Sequence, residues 1–168
     1  MSEAFRKNLL PLILISILVG LTGCGFTFRG QNVHYPFQSI AVEGSQGVAQ
    51  ELLFLLSNQK KLVVNRDPKQ AQIRLTITAQ TLDRTIIAFN AAGRPREILL
   101  RMRISYRISD QYGIQLSDQG EIIQSRELTI NEAEILSAPI SEGGLADDMQ
   151  KDIAWQILRR LRSIKLPG

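Results

Sequence analysis

Leu21-Thr22-Gly23-Cys24-Gly25 contains the one cysteine of a 168-residue chain. A thiol can close a disulfide, ligate a metal or act as a nucleophile. With no second cysteine, no disulfide can form within the chain. Metal binding lacks its partners too, because the chain has one histidine, His34, and no Cys/His set at ligand spacing. Nucleophilic attack is the chemistry left, and the residues upstream point to its setting. Arg6 and Lys7 precede an apolar run from Leu9 to Val19 that includes Pro11, followed by small residues up to Gly23. That is the layout of an export signal, and the run falls short of the roughly 20 residues a spanning helix needs.

Leu-Thr-Gly-Cys resembles the bacterial lipobox, in which signal peptidase II cuts before a lipid-modified cysteine. Gly23 leaves room for the protease and for diacylglycerol transfer, and the Cys24 thiol takes up the lipid. A buried free cysteine and a retained inner-membrane anchor are the competing readings. On the lipobox reading residues 1–23 are a removed signal peptide, 24–36 a lipidated tether, and 37–168 a single periplasmic domain. The mature chain then has 145 residues, enough for one domain with its own core. Loss of Arg6, Lys7 and Glu3 leaves 18 basic and 15 acidic residues, a formal charge of +3. Export makes nucleic acid an unexpected partner and leaves anionic lipid head groups or phosphorylated glycolipids as the match for surplus Arg and Lys. A solubilising surface accounts for the same charge. Each buried acyl CH₂ contributes roughly 0.8 kcal/mol, so two or three chains hold such a domain at a membrane without a spanning helix.

The elements that position the remaining side chains follow from periodicity. Residues 38–43, "QSIAVE", read as a short strand with Ile40 and Val42 on one face. After Ser45, Val48, Leu52, Leu55 and Leu56 recur at helical spacing, and the polar cluster from Ser57 to Lys61 ends that helix. "LVVN" is a candidate for another short strand before the break at Pro68. Ile73, Leu75, Ile77 and Ala79 then alternate with Arg74, Thr76, Thr78 and Gln80, the period of a sheet with one buried face. Ile98, Leu100, Met102, Ile104, Tyr106 and Ile108 repeat it, with Arg101, Arg103, Ser105 and Arg107 opposite. Between them "NAAGRPR" turns the chain at Gly93 and Pro95 and displays Arg94 and Arg96. Residues 121–130 give a fourth long strand whose face the pattern leaves unassigned. Residues 131–144, with Pro139, Gly143 and Gly144, read as a loop. Residues 145–164 form a second helix with Asp147 and Asp148 early and Arg159, Arg160, Arg162 and Lys165 late, which complements its dipole.

Two amphipathic helices and a one-sided apolar sheet predict an α/β, or α+β, two-layer sandwich. Both helices pack on one face of a mostly antiparallel or mixed sheet of about four strands. The other sheet face is polar and carries an arginine stripe, either solvated or binding. No phosphate loop, nucleophile elbow or metal set accompanies it, so no catalytic residue, metal or cofactor is expected and the chain reads as a non-enzyme.

The lipobox cysteine continuing as "CGFTFRG", the short strand, the Leu-rich helix, the Arg-containing hairpin and the C-terminal helix ending "ILRRLRSIKLP" together resemble the LptE family of lipopolysaccharide-assembly lipoproteins. The resemblance implies a non-enzymatic outer-membrane subunit, lipid-anchored on the periplasmic side, that plugs and helps assemble the LptD β-barrel and binds lipopolysaccharide. Gly25 after the cysteine, in place of Asp, fits release to the outer membrane. On position and charge, Arg94 and Arg96 are the expected lipopolysaccharide contacts, with Arg101 and Arg103 as a second pair. Another periplasmic adaptor, such as a pilot lipoprotein for a secretin, or an envelope-remodelling enzyme, are the alternatives. Intact-mass spectrometry tests the lipobox directly: the wild-type chain should begin at an acylated Cys24, and Cys24→Ala should remain uncut and unacylated. A wild-type chain that keeps residues 1–23 and carries no acyl group would remove this reading.

Overall fold

Ile98, Leu100, Met102, Ile104, Tyr106 and Ile108 are all buried, and the residues between them face the other way. This one strand therefore has an inner and an outer side along almost its whole length. Full burial of each aliphatic side chain among them contributes about 1.5–3 kcal/mol. The computed structural model describes residues 34–44, 47–130 and 138–166. These fall within one unit, Asn32–Gly168, that contains the whole described core.

The elements in chain order are β1 (Ser39–Glu43), α1 (Val48–Ser57), β2 (Val63–Val64), a single 3₁₀ turn (Pro68–Gln70), β3 (Ile73–Phe89), β4 (Pro95–Asp110), β5 (Gly120–Thr129) and α2 (Ala138–Leu161). The sheet has five strands in the order β2-β1-β3-β4-β5. β1 runs parallel to both β2 and β3, whereas β3–β4 and β4–β5 are antiparallel, so the sheet is mixed. Both helices cover the same face, through Val48, Leu52 and Leu56 from α1 and Met149, Ile153, Ile157 and Leu161 from α2. The expected two-layer architecture is thus present, with five strands in place of about four. The fifth is the "VV" of "LVVN", the candidate short strand, only two residues long.

Three further expectations change. The alternation in β3 does not run through Ala79. Ile77 lies opposite Tyr106 but Ala79 opposite Ser105, so Thr78 is an extra residue and the faces exchange after it. Ala79 joins the open face, while Gln80, Leu82, Arg84 and Ile86 take the helix side. Gln80 then accepts a hydrogen bond from Val48 N at 3.2 Å, capping α1 in place of its own N-cap residue, Gly47. Secondly, α2 begins at Ala138, so residues 138–144 of the expected loop are helical, and 131–137 lie outside the described residues. Pro139 is tolerated because a first turn has spare N–H groups. The glycines at 143 and 144 are offset by Arg84, whose Nε and Nη2 donate to Glu142 Oε2 and Oε1 at 2.9 and 3.1 Å. Thirdly, packing starts at Tyr35, inside the stretch read as a tether ending at Pro36. Tyr35 and Phe37 are buried with ring centroids 5.3 Å apart. The strand with no expected face, β5, turns Ile122, Gln124, Arg126 and Leu128 toward the helices.

Near one end of the sheet, Tyr106 lies over Gly120, where an added Cβ would sit 2.2 Å from the ring. Gly120→Ala should therefore cost about 1–3 kcal/mol in urea unfolding, the usual range for overpacking. A neutral result would mean the ring moves freely. Tyr35 supplies a pH test. Burial pushes its phenol above the ordinary value of 10.0, more than the Arg162 guanidinium lowers it. Because the folded-state pKa is the higher one, the neutral phenol's contribution is complete below pH 10 and is lost as the pH rises through that raised value. Tyr35→Phe should unfold at the same temperature or higher at pH 7, since among the described residues the buried hydroxyl has no partner at hydrogen-bonding geometry and only the nearby Arg162 guanidinium favours its polar group. Above pH 10 it should lose less stability than wild type. Parallel pH curves for the two proteins would contradict this.

Candidate functional site

The open face of the sheet is built by alternation on β4. Arg101, Arg103 and Arg107 are exposed there, with Ser105 between them and about 6.7 Å separating each i, i+2 pair. From β3, Thr76 lies opposite Arg107, Ala79 opposite Ser105, Thr81 opposite Arg103 and Asp83 opposite Arg101. From β5, Glu121, Ile123 and Ser125 lie opposite Ser105, Arg103 and Arg101. On the far side of β3, Thr76 Oγ1 donates to Glu43 Oε2 at 2.7 Å, and Arg74 Nε stands 4.0 Å from the same oxygen. The face is therefore an array of hydroxyls, carboxylates and guanidiniums, interrupted by Ala79 and the exposed Ile123.

Its arginines are not equivalent. Arg103 Nη1 reaches Glu121 Oε1 at 3.4 Å, with both side chains nearly half exposed, a pair of small energetic weight. Arg101 and Arg107 have no ion pair among the described residues and keep their full donor set for a partner. The same strand thus offers one guanidinium already engaged and two that are not.

Arg94 and Arg96 sit at the hairpin tip. Asn90 shapes the turn: its Oδ1 accepts from Ala92 N and Arg94 N at 3.0 and 2.9 Å, and its carbonyl accepts from Gly93 N. Gly93, at φ 74°, takes the left-handed position that the turn requires. Arg96 is the extra residue of a third irregularity, after those at Thr78 and Ile87, since Ala88 lies opposite Glu97 and Phe89 opposite Pro95. Bulges re-aim a side chain at the end of a ladder. Here Arg96 points outward, 61% exposed, with Glu97 3.7 Å away. Arg94 lies about 23 Å along the strand from Arg101. The four candidates therefore form two separate places, a tip and a face row, and cannot close on one small group.

Two features of the site were missed by sequence reasoning. Arg107 belongs to the face row although it was placed only on the polar side. Phe89 and Ile87, 60% and 44% exposed, give the tip an apolar surface beside its arginines. Their signal is the cluster "TIIAF", whose alternation is broken by the extra residue Ile87. His34 is exposed and lines a shallow cleft with Tyr35, Phe37 and Lys61, with no acid or nucleophile in it. Among the described residues no group of three His, Cys, Asp or Glu is arranged for a metal, and no helix is long and apolar enough to cross a membrane. Cys24 lies outside the described residues.

A family model for LptE, lipopolysaccharide-assembly, matches residues 36–161, from the start of the packed region to the last residue of α2. The chain belongs to the LptE family. Solved structures agree on the fold. The solution structure of uncharacterized lipoprotein B from Nitrosomonas europaea is 27% identical, with a TM-score of 0.69 over 83% of this chain and 91% of that one. A minor lipoprotein from Acinetobacter baumannii, 19% identical, superimposes with a TM-score of 0.62 over 80% of this chain and 100% of its own. Rare lipoprotein B from Shewanella oneidensis, 16% identical, gives 0.59 over 74% and 94%. A search of curated protein sequences finds no match. Membership places the chain among non-enzymatic lipopolysaccharide-assembly lipoproteins of the outer membrane, and the matched region of LptE contains the tip, the face row and both helices.

Proposed function

We propose that this LptE-family chain is anchored in the outer membrane by an acylated Cys24, occupies the lumen of an LptD-type β-barrel and helps that barrel assemble. In this reading it binds lipopolysaccharide during delivery to the cell surface through Arg94, Arg96, Arg101 and Arg103. Residues 1–23 are then the removed signal, and the residues from Cys24 to the first packed side chain, Tyr35, are the tether.

The observation that carries the reading is the polar open face of the sheet. Barrel interiors are wet and polar, so a plug must present hydrogen-bonding groups to them and not an apolar surface. Thr76, Thr81, Asp83, Ser105, Ser125 and the arginine row supply such groups on one face, while the apolar side of the same strands is sealed by helices. The tip suits a phosphorylated amphiphile. A guanidinium grips a phosphate through paired, charge-assisted hydrogen bonds, and exposed Phe89 and Ile87 can lie along acyl chains.

Two measurements test this together. Tagged full-length chain from detergent-solubilised envelopes should recover a large outer-membrane β-barrel at one to one; an intact acylated chain that recovers none would refute the plug. Arg94→Glu with Arg96→Glu should weaken binding to purified lipopolysaccharide by about tenfold or more, each lost charge-assisted contact being worth roughly 1.5–3 kcal/mol. The unfolding temperature should not change, because both side chains are exposed. Unaltered affinity would take the tip out of the binding site.

A further inference from the structure

Three segments meet at the end of the domain opposite the hairpin tip. They are residues 34–38, where the chain enters β1, the turn after α1, and the last turn of α2 with the residues that follow it. Val63 N donates to Gln38 O at 2.9 Å, tying the first two together. Tyr35 joins them to the third: it lines a cleft with Gln59, Lys61 and Leu62, and Arg162 is the charge acting on its hydroxyl. Arg160 stands beside them, with Nη1 donating to Tyr106 Oη at 2.6 Å and its guanidinium 5.8 Å from the ring centre. Lys165 lines the next cleft, about 510 Å³ in volume, with Tyr106, Ser163 and Gly120.

Basic side chains group at this end. Lys60, Lys61, Arg160, Arg162 and Lys165 are exposed and have no carboxylate within 4.0 Å among the described residues. Arg94, Arg101 and Arg107 are unpaired too, so it is the grouping of five cations at one end, and not the lack of partners alone, that marks it. Asp118 and Glu121 border the 510 Å³ cleft, but Glu121 is already engaged by Arg103. Compensation of helix dipoles accounts for Arg160, inside the last turn of α2. It covers Arg162 as well, directly after Leu161, but the helix ends earlier than the expected residue 164, so it does not account for Lys165, four residues past Leu161, or for Lys60 and Lys61, three and four past Ser57. Leu166, 37% exposed, adds an apolar side chain to the same end.

We propose that this basic end is a docking surface for the anionic glycerophospholipid headgroups of the leaflet that holds the lipid anchor. The proposal rests on Cys24 as the anchor. Nine residues lie between Cys24 and His34, ten steps that span at most about 33–36 Å, so an anchor at Cys24 would tether the domain by this end. Attraction between clustered Lys/Arg and an anionic surface acts within a Debye length, about 8 Å at physiological ionic strength. Docking by this end sets the domain upright on its anchor, with the long hairpin directed away from the leaflet.

The test uses the unit 32–168, which holds the whole described core, and needs no anchor. It should cosediment with vesicles of phosphatidylethanolamine plus phosphatidylglycerol, release as salt is raised, and leave phosphatidylethanolamine vesicles unbound. Combined Lys60→Glu, Lys61→Glu, Arg162→Glu and Lys165→Glu should lower binding at least about tenfold. Arg126→Glu with Lys151→Glu, charge reversal at two exposed, ion-paired side chains away from this end, should leave binding unchanged. Circular dichroism melts of both variants establish that they fold. Equal binding to the two vesicle types, binding that survives the fourfold reversal, or equal loss from the Arg126/Lys151 variant would overturn the proposal. Intact-mass measurement of the full chain decides the anchor separately: an unacylated Cys24 defeats the anchoring reading without altering what the vesicles report.

Discussion

One unmatched residue, Thr78, decides which way the later side chains of the long hairpin point. A strand has a period of two, so a single extra residue exchanges the faces of everything after it. Without that exchange Gln80 and Arg84 would stand on the open face, and Thr81 and Asp83 would be driven against the helices. With it, Gln80 reaches the first N–H of α1 and Arg84 reaches Glu142 on α2. Both helices are thereby held near their N-terminal ends by the same strand, while apolar packing holds the rest. The two-layer arrangement depends on this offset because an aliphatic residue at either position could not satisfy the helix groups that meet it.

β4 is the complement of that device. It pairs with β5 from Tyr106 to Glu97 without a register break, and from Ile98 to Ile108 its inner residues are apolar while its outer residues, Leu99 aside, are polar. The regular ladder holds Arg101 and Arg103 at fixed spacing between two strands, and Arg107, past the end of the β5 pairing, against β3. Near the tip the ladder becomes irregular at Ile87 and Arg96, and apolar and basic side chains appear together at the surface. Regularity produces a flat polar face, and irregularity produces an amphiphilic point.

Where the inner and outer residues differ strongly in polarity, the sequence was enough to read the fold. β4, α1 and the later turns of α2 follow from Ile98 to Ile108, Val48 to Leu56 and Met149 to Leu161. The face exchange in β3 was hidden because "TITAQT" mixes small and polar residues that fit either side, so no hydrophobic period exists to break. The early start of α2 was hidden by Pro139, Gly143 and Gly144, whose local preference is overridden by the Arg84–Glu142 pair, a contact between residues 58 apart in sequence. Tyr35 was read as part of a tether because one aromatic beside a proline carries no period at all. Among the candidate residues, turn chemistry placed Arg94 and Arg96 at the hairpin tip, and alternation placed Arg101 and Arg103 on the open face, where the structure has them. Which arginines were already paired could not be read, since Glu121 meets Arg103 only across a strand pairing.

Hairpin length links the two ends of the molecule. β3 runs seventeen residues from Ile73, beside the chain entry, to Phe89 at the tip, about 53 Å at strand rise. That exceeds both the roughly 30 Å hydrocarbon thickness of a bilayer and the 40–45 Å that includes the headgroup regions. In the proposed arrangement, with the entry end held at the leaflet of the anchor, a hairpin of this length standing in a barrel lumen carries Arg101 and Arg103 to mid-height and Arg94 and Arg96 toward the opposite headgroup layer. A phosphorylated lipid moving from one leaflet to the other would then meet the face row first and the amphiphilic tip last. The separation of about 23 Å between the two places follows from strand geometry and serves a path better than a single pocket.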